Sequence, residues 1–243
     1  ERTANFLAKW PPHFIEISAY GYTRETYERV TRVPGSFDRY NRGLQLLLDR
    51  GISLGLKTVV MTVNQHEFDL MRSFAECLNL PFRYDGLIWP RLDGGQEPVN
   101  YRLSPEALVA LDPDQSFISD HELIIQSESD PSHPSNEMVY ACGAGFYGFH
   151  VSAFGKMSMC IMARQPAYDL REGNIEQGWE FLGRLREKQR VLESPCHTCR
   201  ARIVCTQCPG WSQIVHGDDE TPVDYVCEIA QLRFASLSSP PNH

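Results

Sequence analysis

The chain has 243 residues, a formal net charge of −8 and a pI of about 5.5, with 42% hydrophobic and 22% charged residues. That length holds one large domain or two modest ones. The acidic balance provides no field to gather phosphates, which argues against a nucleic-acid partner. No apolar run approaches the roughly 18 residues that span a bilayer, and the opening does not read as a signal peptide. A cytoplasmic protein with no membrane partner is expected.

Residues 1–9 read as a helix already under way at Glu1, so the chain is expected to be a piece of a longer protein. Residues 13–19 predict a short strand that ends at Tyr20-Gly21. Ser36 is placed to cap a helix through Phe37, Tyr40, Leu44, Leu47 and Leu48, whose spacing is helical. Gly51 sits where a C′ glycine belongs. A second strand is expected within residues 52–63, and residues 82–89 predict a third. Between them Asn64, with Glu67 three residues on, reads as a capping box for a helix carrying Phe68, Met71 and Phe74. On that helix Cys77 reads as a buried small apolar residue, and His66 as an exposed first-turn residue.

Strands alternating with helices imply a parallel sheet with crossover helices. Three such units make half of a six- or eight-stranded barrel. They leave an unpaired edge at residues 13–19, which strands upstream of residue 1 would cover. Ser104, Pro105 and Glu106 open a further helix, with the serine as N-cap and an acid in the first turn. Residues 112–136 are mostly polar and carry Pro113, Pro131 and Pro134, a linker or insertion.

Seven of the eight cysteines lie beyond that stretch. Cys142 is followed by twelve residues, Gly155, four residues and Cys160; then come Cys196-x2-Cys199-x5-Cys205-x2-Cys208, and Cys227 alone. Alternation on either side of Phe154-Gly155-Lys156 predicts a β-hairpin that carries Cys142 and Cys160 towards each other. Residues 174–189 predict an amphipathic helix. Residues 223–235 predict another, which presents Cys227 back to the cysteine loop. A CxxC pair turns two thiolates towards one metal centre. Disulfides suit small exported domains and fit this chain poorly. A four-thiolate zinc site at Cys196, Cys199, Cys205 and Cys208 leaves Cys142, Cys160 and Cys227 unexplained. The supply is about right for two iron–sulfur clusters. His150 and His197 are candidate extra ligands, and equally plain polar surface.

The cysteine spacing resembles the SPASM domain of radical S-adenosylmethionine (AdoMet) enzymes, except that the spacing before Cys208 is two residues where the family has three. The stretch Ile15 to Gly21, with Glu25-Thr26-Tyr27 and Pro34-Gly35-Ser36-Phe37 after it, is similar to the fourth strand and following helix of that family's partial barrel. The resemblance implies an α/β fold: the later strands of a partial (β/α) barrel over residues 1–111, a linker or insertion over 112–138, and a small cysteine-rich α+β iron–sulfur domain over 139–243. It implies that Cys142, Cys160 and Cys208 hold a first auxiliary [4Fe-4S] cluster, its fourth position open or filled by another ligand. It assigns Cys196, Cys199, Cys205 and Cys227 to a second. It puts Ser18 near the strand position that faces AdoMet. The family's CxxxCxxC loop, which holds the AdoMet-cleaving cluster, is absent from this chain, as is its Gly-Gly-Glu segment. The segment is therefore expected to be inactive alone. The full-length protein is expected to use AdoMet with a third [4Fe-4S] cluster, an electron donor such as a flavodoxin or ferredoxin, and a peptide or protein substrate. The alternative is a non-catalytic zinc or iron–sulfur module that binds a protein partner.

Overall fold

A computed structural model describes residues 1–112, 138–140 and 142–238. The chain divides into two compact units: Glu1–Ile88 with Pro98–Leu103, and Trp89–Glu97 with Ser104–His243. The proposed linker falls almost wholly outside the described residues. Among the described residues no helix is long and apolar enough to cross a membrane.

The first unit is a mixed α/β layer. Helix α1 (Arg2–Lys9) precedes β1 (Ile15–Ser18); α2 (Arg24–Thr31) and α3 (Ser36–Leu48) follow; then come β2 (Leu54–Val59), α4 (Phe68–Cys77) and β3 (Phe82–Asp85). The strands are parallel in the order β1-β2-β3, with Ile17 opposite Leu56 and Leu56 opposite Phe82. A parallel pair needs a crossover, and the helices that make it bury one face of the sheet. Leu54 and Leu56 of the central strand are accordingly almost fully buried, against Leu44 of α3 and Met71 and Ala75 of α4. Tyr27 of α2 stacks on Tyr40 of α3, ring centroids 4.9 Å apart. Glu16 takes the Arg83 guanidinium by two 2.7 Å bonds, a tie from β1 to β3 across β2 that holds its carboxyl down at about 2.

Four local expectations are corrected. Ser36 is inside α3, whose N-cap is Gly35 in the left-handed region, and its hydroxyl meets Thr31 Oγ1 at 2.7 Å. Residues Gln65–Glu67 form a 3-10 turn rather than the start of the α-helix. Asn64 makes no capping bond; buried completely, it accepts from the Met61 amide and donates to the carbonyls of Tyr20 and Val59. Cys77 ends α4 and is exposed, because the buried stripe of that helix runs through Phe68, Met71 and Ala75. Helix α2, capped by Thr23, is an element that the spacing of apolar residues does not announce.

Glu67 reaches across to that cap. Its carboxylate accepts from the amides of Tyr22 and Thr23, at 2.7 and 3.0 Å, and from the hydroxyls of Thr23 and Thr26, at 2.5 and 2.7 Å. It thereby joins the loop after β1 to the loop after β2. Burial pushes its acid up, and the four donors outweigh burial and hold it below the usual range.

The second unit holds α5 (Pro105–Val109), β4 (His150–Val151), β5 (Lys156–Ser158), β6 (Tyr168–Asp169), α6 (Ile175–Arg186), α7 (Pro209–His216) and α8 (Asp224–Ser238). The expected hairpin is present, and β6 extends it to an antiparallel sheet in the order β4-β5-β6. Gly155 turns it at φ +73°. Val139, Tyr140, Met157, Met159 and Leu182 of α6 form the core. Asp169, almost buried, is held ionised by Arg171 and Lys156. Helix α8 packs on α5 and on a 3-10 turn at Arg200–Val204, and Arg233 pairs with Asp112 at 2.8 Å.

Glu67→Gln removes a charge from four donors and is expected to destabilise the protein by about 1.5–3 kcal/mol at pH 7. A depressed carboxylate stabilises above its unfolded pKa of about 4.3, and that contribution drains as pH falls from there through the lower folded value. Denaturant titrations of wild type and variant should therefore show the gap closing below about pH 4.

Candidate metal centres

The seven clustered cysteines occupy short turns and helix ends, where a backbone can bend round an inorganic group. Cys142 lies exposed in the loop before the hairpin. Cys160 follows β5, and its sulfur accepts the Ala163 amide at 3.3 Å. Cys208 is the N-cap of α7, with Pro209 at the first helical position. Cys196 sits in a 3-10 turn, Pro195–His197, opened by Ser194. Cys199 and Cys205 flank the Arg200–Val204 turn. Cys227 lies in the first turn of α8, and Gln231, one turn further on, donates to Cys199 sulfur at 3.5 Å.

Gly210 brings the Cys160 turn against the head of α7. A Cβ at this position would lie 2.7 Å from the Ala163 amide nitrogen and 2.8 Å from the Met162 carbonyl carbon. Only a glycine lets these two backbones meet.

The thiols act on one another in two sets. Burial pushes Cys208 up to about 11; the amides of Trp211 and Gly210 draw it back without completing a capping hydrogen bond, and the charges of Cys160 and Cys142 raise it further. Burial also raises Cys205, the Gln207 amide opposes this, and Cys196 and Cys199 add to it. Burial lifts Cys227 to about 11, helped by Cys205, Cys196, Asp224 and Cys199. Among the described residues no three His, Cys, Asp or Glu side chains are close enough to share one metal ion.

Several buried polar atoms in the same unit have no partner among the described residues. They are the Tyr140 hydroxyl, Thr206 Oγ1, Gln207 Oε1 and Trp211 Nε1. Each orphan costs about 1–3 kcal/mol. Three of the four can donate to sulfur, so the surroundings as well as the donor set fit an iron–sulfur group. Trp211 also stacks on Trp89, ring centroids 3.2 Å apart. Tyr140 and Gly210 carry no signal of their own in the sequence. The Cys208-Pro209 step, a helix-start signal, could have revealed α7 and its contact glycine.

The other candidates are spread out. His150 Nδ1 lies 3.3 Å from Ser158 Oγ, and His197 Nε2 lies 3.1 Å from the Leu192 carbonyl, so both are engaged locally. His66 is exposed, as expected, 3.4 Å from Thr26 Oγ1. Ser18 ends β1 opposite Lys57. Because Ile15 and Ile17 pack on the core, alternation puts Ser18 with Glu16 on the other, polar face of the sheet.

The fold, a mixed α/β arrangement with a parallel sheet, matches that of solved structures of anSMEcpe. Two solved structures of anSMEcpe carry the likeness. The native protein with bound AdoMet and Cp18Cys peptide matches at a TM-score of 0.58 and 15% identity, over 96% of this chain and 69% of that one. A histidine-tagged form with bound AdoMet matches at 0.59 and 13%, over 96% of this chain and 65% of that one. The chain thus spans about two thirds of the length of each. No family model and no curated protein matches it.

Gly210→Ala is expected to lower stability by about 1–3 kcal/mol through overpacking. Gly148→Ala, where a Cβ meets nothing within 4 Å, should be close to neutral. Denaturant midpoints compare the two. In metal-free protein at pH 7, exposed Cys77 and Cys142 should alkylate first, and Cys205, Cys208 and Cys227, with little thiolate, last. Peptide mapping after timed iodoacetamide treatment reads the order.

Proposed function

We propose that this chain is the C-terminal portion of a radical AdoMet/SPASM enzyme that modifies a peptide or protein substrate. The observation that carries the reading is the specific seven-cysteine spacing; the influence of Cys160 and Cys142 on Cys208, and of Cys196 and Cys199 on Cys205 and Cys227, supports it. Residues 1–111 form the later strands of the partial barrel, 112–138 the linker or insertion, and 139–243 the SPASM domain. Cys142, Cys160 and Cys208 hold one auxiliary [4Fe-4S] cluster; Cys196, Cys199, Cys205 and Cys227 hold the other. When bound, such clusters supply one-electron redox centres beside the substrate.

The residues of this chain have distinct tasks in that reading. The cysteines fasten hairpin, loop and final helix into one small domain, so that cluster binding and folding are coupled. The raised thiols of Cys205, Cys208 and Cys227 give up protons as metal binds. Ser18, on the polar face of the sheet, faces AdoMet. The AdoMet-cleaving cluster needs a CxxxCxxC loop, which these 243 residues lack, so AdoMet cleavage belongs to the full-length protein, with an electron donor of the flavodoxin or ferredoxin kind. A peptide substrate is supported by the peptide bound in an anSMEcpe structure.

The second reading is a non-catalytic metal module that holds a protein partner, which an upstream sequence without a CxxxCxxC loop would favour. Iron and acid-labile sulfide per chain, after anaerobic reconstitution, separate the two. About eight of each is expected, with a broad band near ~400 nm and no 5′-deoxyadenosine from AdoMet plus dithionite. One zinc and no sulfide would overturn the enzyme reading.

A further inference from the structure

Tyr140 is 2% exposed, and its hydroxyl has no hydrogen-bond partner among the described residues. Its ring is part of the core with Val139, Met157 and Leu182, so the oxygen is held in place by packing. The charged groups that bear on the phenol are Asp219, Cys160, Cys208 and Cys142. Asp219 is already taken by Lys188, at 2.6 and 2.8 Å. Of the other three, Cys160 packs against the core that holds the Tyr140 ring, and Gly210 brings the Cys160 turn to the head of the helix that Cys208 caps. A buried O–H with no acceptor is a standing penalty, removed once an acceptor arrives.

We infer that the Tyr140 hydroxyl donates a hydrogen bond to sulfur of the group held by Cys142, Cys160 and Cys208, and thereby raises its reduction potential. This rests on the two-cluster reading above. Sulfur accepts from an O–H without any thiolate being displaced. One-electron reduction makes the cluster more negative and a stronger acceptor, so the donor favours the reduced form. No bond forms or breaks; the electron comes from the reductant.

Tyr140→Phe keeps the ring and deletes the donor. In reconstituted protein, iron and sulfide should stay at the wild-type value. In a dithionite titration followed by electron paramagnetic resonance, one of two midpoints should fall by about 59 mV, a tenfold loss in the reduction equilibrium, while the other stays. Metal-free Tyr140→Phe should need more denaturant to unfold than metal-free wild type, since the orphan is gone. Full iron with both midpoints unmoved overturns the inference and leaves the two-cluster reading intact. Loss of about half the iron, or of a phenolate absorption band, overturns it too, by making Tyr140 a ligand. A wild-type chain without sulfide overturns the underlying reading and the inference with it.

Discussion

Cys208 heads α7, and two residues on, Gly210 lets that helix touch the backbone of the Cys160–Ala163 turn. The sulfur-bearing unit depends on this close approach. The hairpin carries Cys160 out from the Met157–Met159 core, and α7 carries Cys208; without the missing Cβ the two elements could not meet. Once they do, burial and the neighbouring Cys160 and Cys142 oppose ionisation of the Cys208 thiol. Burial is the first cause of the shift at Cys205, Cys208 and Cys227 alike, with neighbouring thiols adding to it. Ionising such thiols in bare protein is expensive, because a buried charge would lack a counter-charge. A cationic inorganic group turns the same repulsion into ligation. The unpartnered Tyr140, Thr206 and Trp211 donors point the same way, since polar groups left unmatched in a core mark something the protein alone does not supply.

The first unit is organised differently. Its sheet is buried on the helix side and polar on the other, where Glu16, Lys57 and Arg83 run across three strands. The loops that follow β1 and β2 are joined by Asn64 and Glu67, both buried and both fully used. That end of a parallel sheet is where ligands of open α/β folds sit, and here it is stiffened by hydrogen bonds to a carboxylate rather than by apolar packing.

Much of the fold is legible in the sequence. The strand–helix alternation, the Ser104-Pro105 helix start and the hairpin at Gly155 follow from local rules that reach only a few residues. Local reading fails where a side chain has a nearby partner on paper and a distant one in space. Asn64 and Glu67 have capping-box spacing, yet Glu67 bonds Thr23, forty-four residues away, and Asn64 bonds Tyr20. Cys77 has an apolar character that suits a core, but helical phase turns it outward. The third strand of the small sheet, Tyr168–Asp169, is too short to show a period of its own.

By itself the sequence determined the spacing of seven thiols and the periods of the main elements, because CxxC turns and amphipathic stripes are written within a few residues. Which thiols bear on which, why position 210 must be glycine, and that the Tyr140 hydroxyl is buried in the core against which Cys160 packs were decided only by the tertiary structure. Those facts depend on distances between segments far apart in the chain, and burial, not spacing, sets what each group there can do.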